Sequence, residues 1–218
     1  SDTHALKGLD SLISLIEAGL LREDNFDSCV KSITPELDIL IANECFELSS
    51  DTIDKIISFT EKLYDVTVID TISGNNALTR HFFEKSDVIV VVLNQYKNVV
   101  NMAIGNQFYK EFADKIIFVL NRFRDDINLK YSDVRDILSS KGYEGEVFTI
   151  SYDVSMINEC NDHSVLNFIL NKGMKTSTVH EEMVLLTEYL LKNFGKDIPM
   201  KEYGTKQGKL FSFFMSRK

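Results

Sequence analysis

The sequence predicts an α/β fold in which a mostly parallel sheet is flanked by helices on both faces. Three observations carry this. Short β-branched runs at 65–70 (DVTVID), 87–94 (DVIVVVLN), 115–121 (KIIFVLN) and 146–150 (EVFTI) alternate with stretches of helical periodicity. The run 87–94 is apolar throughout and reads as a central parallel strand with both faces covered. The spacing between runs leaves room for helical crossovers, which are right-handed almost without exception.

Taken in order, Leu9, Leu12, Ile13, Leu15, Ile16, Leu20 and Leu21 recur at helical spacing and predict an opening helix that closes near Gly19 or Leu21. Residues 36–42 (ELDILIA) are a compact apolar run of strand character. Ser49, Ser50 and Asp51 offer N-cap oxygens to a helix running to about Tyr64. After the strand 65–70 comes a loop, 71–75, with Gly74, then a helix over 76–85. The strand 87–94 leads to a helix over 99–112 and the strand 115–121. Ser132 and Asp133 start a helix ending near Gly142, followed by the strand 146–150. Two helices, 165–171 and 179–194, close a single α/β domain over 1–195. A polar linker at 196–207 and a distinct tail at 208–218 follow.

Composition narrows the class. The 218 residues are 44% hydrophobic, enough for a sizeable core. Two prolines and ten glycines exclude a collagen-like or disordered chain. Three cysteines, an odd number, exclude a disulfide scaffold and suit a reducing compartment. No apolar run reaches the roughly 18 residues of a spanning helix, and no signal peptide opens the sequence. A net charge of −9 argues against a nucleic-acid partner. The charge is uneven, for in residues 201–218 Lys201, Lys206, Lys209, Arg217 and Lys218 face Glu202 alone.

In an open parallel sheet, ligands lie beyond the carboxyl ends of the strands. The polar residues there are Asp70 and Thr71 with Gly74, Asn94 and Gln95, Asn121 and Arg122, and Ser151, Tyr152 and Asp153. An aspartate ending an apolar strand before a glycine loop suits magnesium and phosphate. The carboxylate holds the metal through water, and glycine lets the backbone approach an anion. The same aspartate can equally do no more than cap the next helix. His4, His81, His163 and His180 form no pair with metal-ligand spacing, and Cys160 with His163 is a lone half-site. Tyr96 reads as an exposed loop tyrosine, the pair Phe82 and Phe83 as core, and Cys29 and Cys45 as buried or half-buried small apolar residues.

Together these segments resemble the ParA/MinD family of P-loop ATPases. Residues 66–74 (VTVIDTISG) resemble the family's hhhhDTPPG motif, 87–93 its aDxviiV strand, and 117–122 (IFVLNR) its hhhhNR strand. Residues 150–153 (ISYD) fall where the family has I-P-x-D, with Ser151 in place of proline. Residues 1–9 (SDTHALKGL) resemble the switch stretch after the family's second strand. The resemblance runs from Asp2 to about Leu191. It implies a P-loop NTPase-like fold with ATP and Mg2+ as cofactors and a homodimer as the nucleotide-bound form. It implies that Asp70 holds magnesium through water and that Gly74, beside Thr71, senses the γ-phosphate. Asn121 with Arg122 would read adenine, Asp153 would belong to the nucleotide site, and Asp2 would be the catalytic residue that places the attacking water.

The departure is large. The family's G-x-x-x-x-G-K-[ST] loop is nowhere in these residues. The family's first strand, phosphate loop and first helix would precede Asp2, so this polypeptide alone is expected not to bind or hydrolyse ATP usefully. It is either a piece of a longer protein that carries the loop or a degenerate member that kept the fold and lost the catalysis. The first is favoured, since the missing strand would be central and its absence leaves backbone groups unpaired.

The tail adds a further expectation. On a helical wheel over 208–218, Leu210, Phe211, Phe213, Phe214 and Met215 cover one face, with Arg217 and Lys218 placed to snorkel at the end. This is the pattern of an interfacial amphipathic helix, and it resembles the membrane-targeting helix of MinD-type proteins. The alternative is that the phenylalanines dock on the protein's own body or on a partner. One such short helix binds weakly, and two in a dimer hold. The functional expectation is a partial or degenerate ParA/MinD-like ATPase, cytoplasmic and peripheral at the inner face of a bacterial membrane. It would position the division site, pili or secretion machinery. The alternative is a non-catalytic, membrane-associated localisation scaffold. A receiver-type phosphoacceptor domain also ends a strand in aspartate, but it is a shorter fold and leaves the Asn121–Arg122 strand and the tail unexplained.

Overall fold

The structure is a computed structural model and describes residues 8–35, 37–42, 48–71, 74–170 and 177–194, with the backbone alone of 202–204 and 209–211. It divides into two compact units, residues 1–81 with 195–218, and residues 82–194.

The first unit runs α1 (Leu9–Glu17), α2 (Glu23–Phe26), β1 (Lys31–Thr34), β2 (Leu37–Ile39) and α3 (Ser50–Leu63); its core is Leu12, Ile16, Phe26, Cys29, Val30 and Tyr64, with Ile56, Phe59 and Leu63 of α3 packed against it. α1 buries Leu12 and Ile16, four residues apart on one face, and Gly19 turns the chain just beyond its end with φ +66°. The Phe26 ring lies 6.1 Å from Phe59 and 6.2 Å from Tyr64. α3 starts where its caps predict, with Ser49 Oγ accepting from the Thr52 amide at 3.1 Å. β1 and β2 pair antiparallel, and Asp38 accepts hydroxyl bonds from Ser32 (2.5 Å) and Tyr64 (2.6 Å).

Two expectations are corrected here. The strand over 36–42 shrinks to β2 and is antiparallel, because the turn at Pro35 folds it back on β1. Residues 65–70 form no strand. They have no ladder partner among the described residues, and Val68 is 78% exposed. β-branched residues favour extended backbone, but a strand is made only by pairing.

α4 (Ala77–Lys85), capped by Asn76 Oδ1 on the Thr79 amide at 2.8 Å, leads into the second unit. That unit runs β3 (Ile89–Asn94), α5 (Lys97–Gly105), α6 (Gln107–Lys110), β4 (Ile116–Phe123), α7 (Tyr131–Ser139), β5 (Val147–Ser151), α8 (Val154–Asn161), α9 (Val165–Leu170) and α10 (Thr178–Phe194). Its sheet has the order β3-β4-β5, parallel throughout and accompanied by helices, as the alternation predicts. The helix expected over 99–112 breaks at Asn106, whose Oδ1 accepts from the Phe108 amide at 3.0 Å to open α6. Phe83 is core, its ring 5.0 Å from Phe108 and 5.5 Å from Phe112.

The middle strand is β4, not the run of valines. Every residue from 116 to 120 is buried, whereas β3 alternates. Ile89, Val91 and Leu93 are buried, while Val90 is 39% and Val92 59% exposed. Val90 stands opposite Ile117 and Val92 opposite Val119, which are only 2% and 3% exposed. The cover on that face therefore stops between β4 and β3. The expectation that β3 is covered on both faces fails because an apolar run shows what its residues tolerate, not which neighbours the fold supplies.

β6 (Glu202–Gly204) and β7 (Lys209–Phe211) pair antiparallel, Glu202 opposite Phe211 and Gly204 opposite Lys209. Thus the linker at 196–207 contains a strand, and Leu210 and Phe211 lie on a strand rather than in the expected amphipathic helix. A lone helix of about ten residues is marginal in water, and here the backbone groups of β6 and β7 pair with each other instead. Phe213, Phe214, Met215, Arg217 and Lys218 lie outside the described residues, as does Asp2. No described helix is long and apolar enough to cross a membrane.

Candidate ligand site at the carboxyl end of the parallel sheet

The three parallel strands end nearly level, Asn94 opposite Asn121 and Phe123 opposite Ser151. Asn121 and Arg122 come to this rim as the sequence predicts. The ladder slips between Asn121 and Phe123, and Arg122 takes φ +55°. A non-glycine residue in the left-handed region is uncommon, and such strain gathers at ligand sites. Asn121 supports the kink, its Oδ1 accepting from the Arg122 amide at 3.0 Å.

Gln95, directly after β3, is 5% exposed. Its Nε2 donates to the carbonyls of Arg124 (3.0 Å) and Leu129 (2.7 Å), and its Oε1 accepts from the Arg124 amide (2.9 Å). One side chain thus holds both ends of the loop 124–129. In that loop Arg124 forks onto both oxygens of Asp126, at 2.8 and 2.6 Å. The hydrogen bond from Arg124 holds the Asp126 carboxyl below the ordinary carboxylate range. The same guanidinium lies 5.6 Å from the centre of the Tyr152 ring, and the Tyr152 amide donates to Phe123 O at 2.9 Å. A planar cation on an aromatic ring, beside an asparagine at a kinked strand end, can stack on and hydrogen-bond a flat polar ligand.

Asp153 also reaches this rim, but both of its oxygens are engaged within the protein. Oδ2 accepts from Ser177 Oγ at 2.6 Å, and Oδ1 accepts from the Met156 amide at 2.9 Å. These bonds, Ser177 first, hold its carboxyl below the usual range. Asp153 is therefore the cap of α8, a helix the sequence analysis missed although an aspartate before a short apolar run was its signal. Glu182 of α10 was also missed. Its Oε2 accepts from the Ser151 amide at 2.6 Å, and its Oε1 from Ser151 Oγ at 2.7 Å and Thr149 Oγ1 at 3.4 Å. A shallow pocket of about 520 Å³ beside β5 is lined by Phe123, Lys130, Tyr131, Phe148, Glu182 and Leu185. In sequence, Glu182 is indistinguishable from its solvated neighbour Glu181.

In the first unit, Asp70 is exposed and makes no hydrogen bond among the described residues, and Thr71 is half-buried. A carboxylate without protein partners fits a magnesium ion that keeps its waters. Gly74 has φ +141°, a conformation that other residues rarely adopt. For the phosphates, these residues contain no G-x-x-x-x-G-K-[ST].

No family model and no curated protein matches the chain. Among solved structures it is similar to a ParA family ATPase from Chlorobium tepidum TLS, with a TM-score of 0.67 at 17% identity, over 87% of this chain and 78% of that one. The fold is therefore α/β and similar to that of this ParA family ATPase, as the sequence resemblance implies.

Proposed function

We propose that the chain carries the metal and base ends of a ParA-like ATPase site, and that a further strand, loop and helix seated on β3 bring the phosphate end. The observation that carries this reading is the contrast between the two edges of one sheet. The Ile89 amide donates to Lys115 O at 2.8 Å, so Ile89, Val91 and Leu93 face β4. Val90 and Val92 then point their amides and carbonyls outward, with no partner among the described residues. On β5 the outward carbonyl of Val147 accepts from Tyr131 Oη at 3.2 Å, and the outward amide of Ser151 is closed by Glu182. Proteins guard exposed edges, so a bare apolar edge opposite a guarded one is an edge made for pairing.

In this reading Asp70 holds magnesium through water, with Thr71 and Gly74 beside the terminal phosphate. Asn121 and Arg122 orient the base, Asp153 fixes the turn under it, and Asp2 places the water. ATP, when bound, supplies the phosphoanhydride, and these residues bind and orient it. A nucleotide-controlled homodimer, held at the inner face of the membrane by the tail (Leu210, Phe211, Phe213, Phe214, Met215, Arg217 and Lys218), would position the division site, pili or secretion machinery. A second reading, a non-catalytic localisation scaffold, is favoured by the full engagement of Asp153 within the protein.

A magnesium-ATP titration of this chain, with Asp70→Ala and Asn121→Ala as controls, tests the nucleotide site. Weak binding that Asn121→Ala abolishes, and that no longer depends on magnesium in Asp70→Ala, supports the ATPase reading. No binding at millimolar ATP means a piece without its phosphate end or a scaffold, and the upstream reading frame then decides which.

A further inference from the structure

We infer that Gln95 is the positioning residue of the base-binding end, an inference that rests on the nucleotide reading above. A primary amide offers two donors and an acceptor oxygen. Gln95 spends both donors and its oxygen on the backbone of the single loop 124–129. The Arg124 amide and the Leu129 carbonyl have no other partner among the described residues, so the loop's ends are defined by this side chain. Its place makes the latch consequential. Gln95 follows Asn94, which is level with Asn121, and Arg124 lies two residues beyond the left-handed Arg122. Through Arg124 the latch reaches Tyr152 at the end of β5. One buried amide thereby ties together the ends of all three parallel strands. Gln95 itself touches no ligand in this account; it holds Asn121, Arg122 and Tyr152 in register for one.

The test uses the 218-residue chain, backbone amide spectra, and magnesium-ATP and magnesium-UTP as probes. In the parent, ATP shifts the amides of Asn121, Arg122 and Tyr152 at lower concentration than UTP does. Gln95→Leu removes all three bonds. It is expected to speed solvent exchange of the Arg124 amide about tenfold or more and to erase the ATP-over-UTP preference, with Val119 and Leu120 still protected. Loss of selectivity, rather than of both affinities equally, separates positioning from general weakening. Gln95→Glu, which keeps the acceptor for the Arg124 amide, serves if Gln95→Leu does not fold. It should leave Arg124 protected and still lose the preference. An unchanged preference in either folded variant overturns the inference, as does an Arg124 amide in the parent that exchanges as fast as a free chain. If the parent shows no shift with ATP, this chain alone binds no nucleotide and the inference fails for it. Arg124 exchange in the parent and Gln95→Leu then decides whether Gln95 holds the loop at all.

Discussion

Glu182 closes the outward amide of Ser151 at 2.6 Å and takes the hydroxyl of the same residue at 2.7 Å. A side chain on α10 thereby occupies a backbone position that another strand would otherwise use. Glu182→Ala leaves that amide unpaired and the β5 edge open. The expected result is a loss of about 1–3 kcal/mol in urea unfolding, with increased self-association by sedimentation. Unchanged stability and an unchanged monomer would show that Glu182 does not guard the edge.

Val91 and Val92 are neighbours in sequence with opposite environments, 8% and 59% exposed. Val91→Ala is expected to cost about 2 kcal/mol, by loss of buried volume. Val92→Ala in this chain should cost under about 1 kcal/mol. Equal costs would mean that the face carrying Val92 is covered.

Gly145 precedes β5 at a close approach to β4. A Cβ built there would lie 2.3 Å from Ile116 O, a backbone atom that cannot swing aside. Gly145→Ala is therefore expected to destabilise by about 1–3 kcal/mol in thermal or urea unfolding, through forced backbone displacement. A variant as stable as the parent would contradict the contact.

Asp153 carries a pH signature. Its ionised form is favoured in the folded state, chiefly by Ser177 and next by the Met156 amide. Unfolded, an aspartate titrates at about 4. The folded value is the lower one, so the unfolded chain binds more protons between the two. The stabilisation is complete above about pH 4 and is lost as pH falls through the folded value. Asp153→Asn should be less stable than the parent at neutral pH, because an amide nitrogen cannot accept from Ser177 Oγ, the gap closing in acid. Urea midpoints at pH 7 and pH 3 check this, and a gap of equal size at both would contradict the charge argument.

What the sequence made legible was local. β4 and β5 fall within two residues of the runs that predict them, and α3 begins at its predicted cap. Asn121, Arg122 and Asp153 were placed at the rim because strand ends are visible as the last polar residues of apolar runs. What was not legible depends on partners far along the chain. The burial of Gln95 is set by a loop some thirty residues away, and the clamp of Glu182 by a strand equally distant. The valines of β3 looked central because β-branching reports tolerance of burial, whereas the neighbours that bury β4 belong to the topology. The segment 65–70 has the composition of a strand and, among the described residues, no partner that would make it one.

Among the described residues, β3 has one edge paired with β4 and the other bare. Amide hydrogen exchange along β3 of this chain is the decisive measurement. Val91 and Leu93 are expected to be protected, while Val90 and Val92 exchange at least about a hundredfold faster. Val90 and Val92 protected to the same degree as Val91 would show that the outer edge is already paired, contradicting both the topology and the proposal built on it.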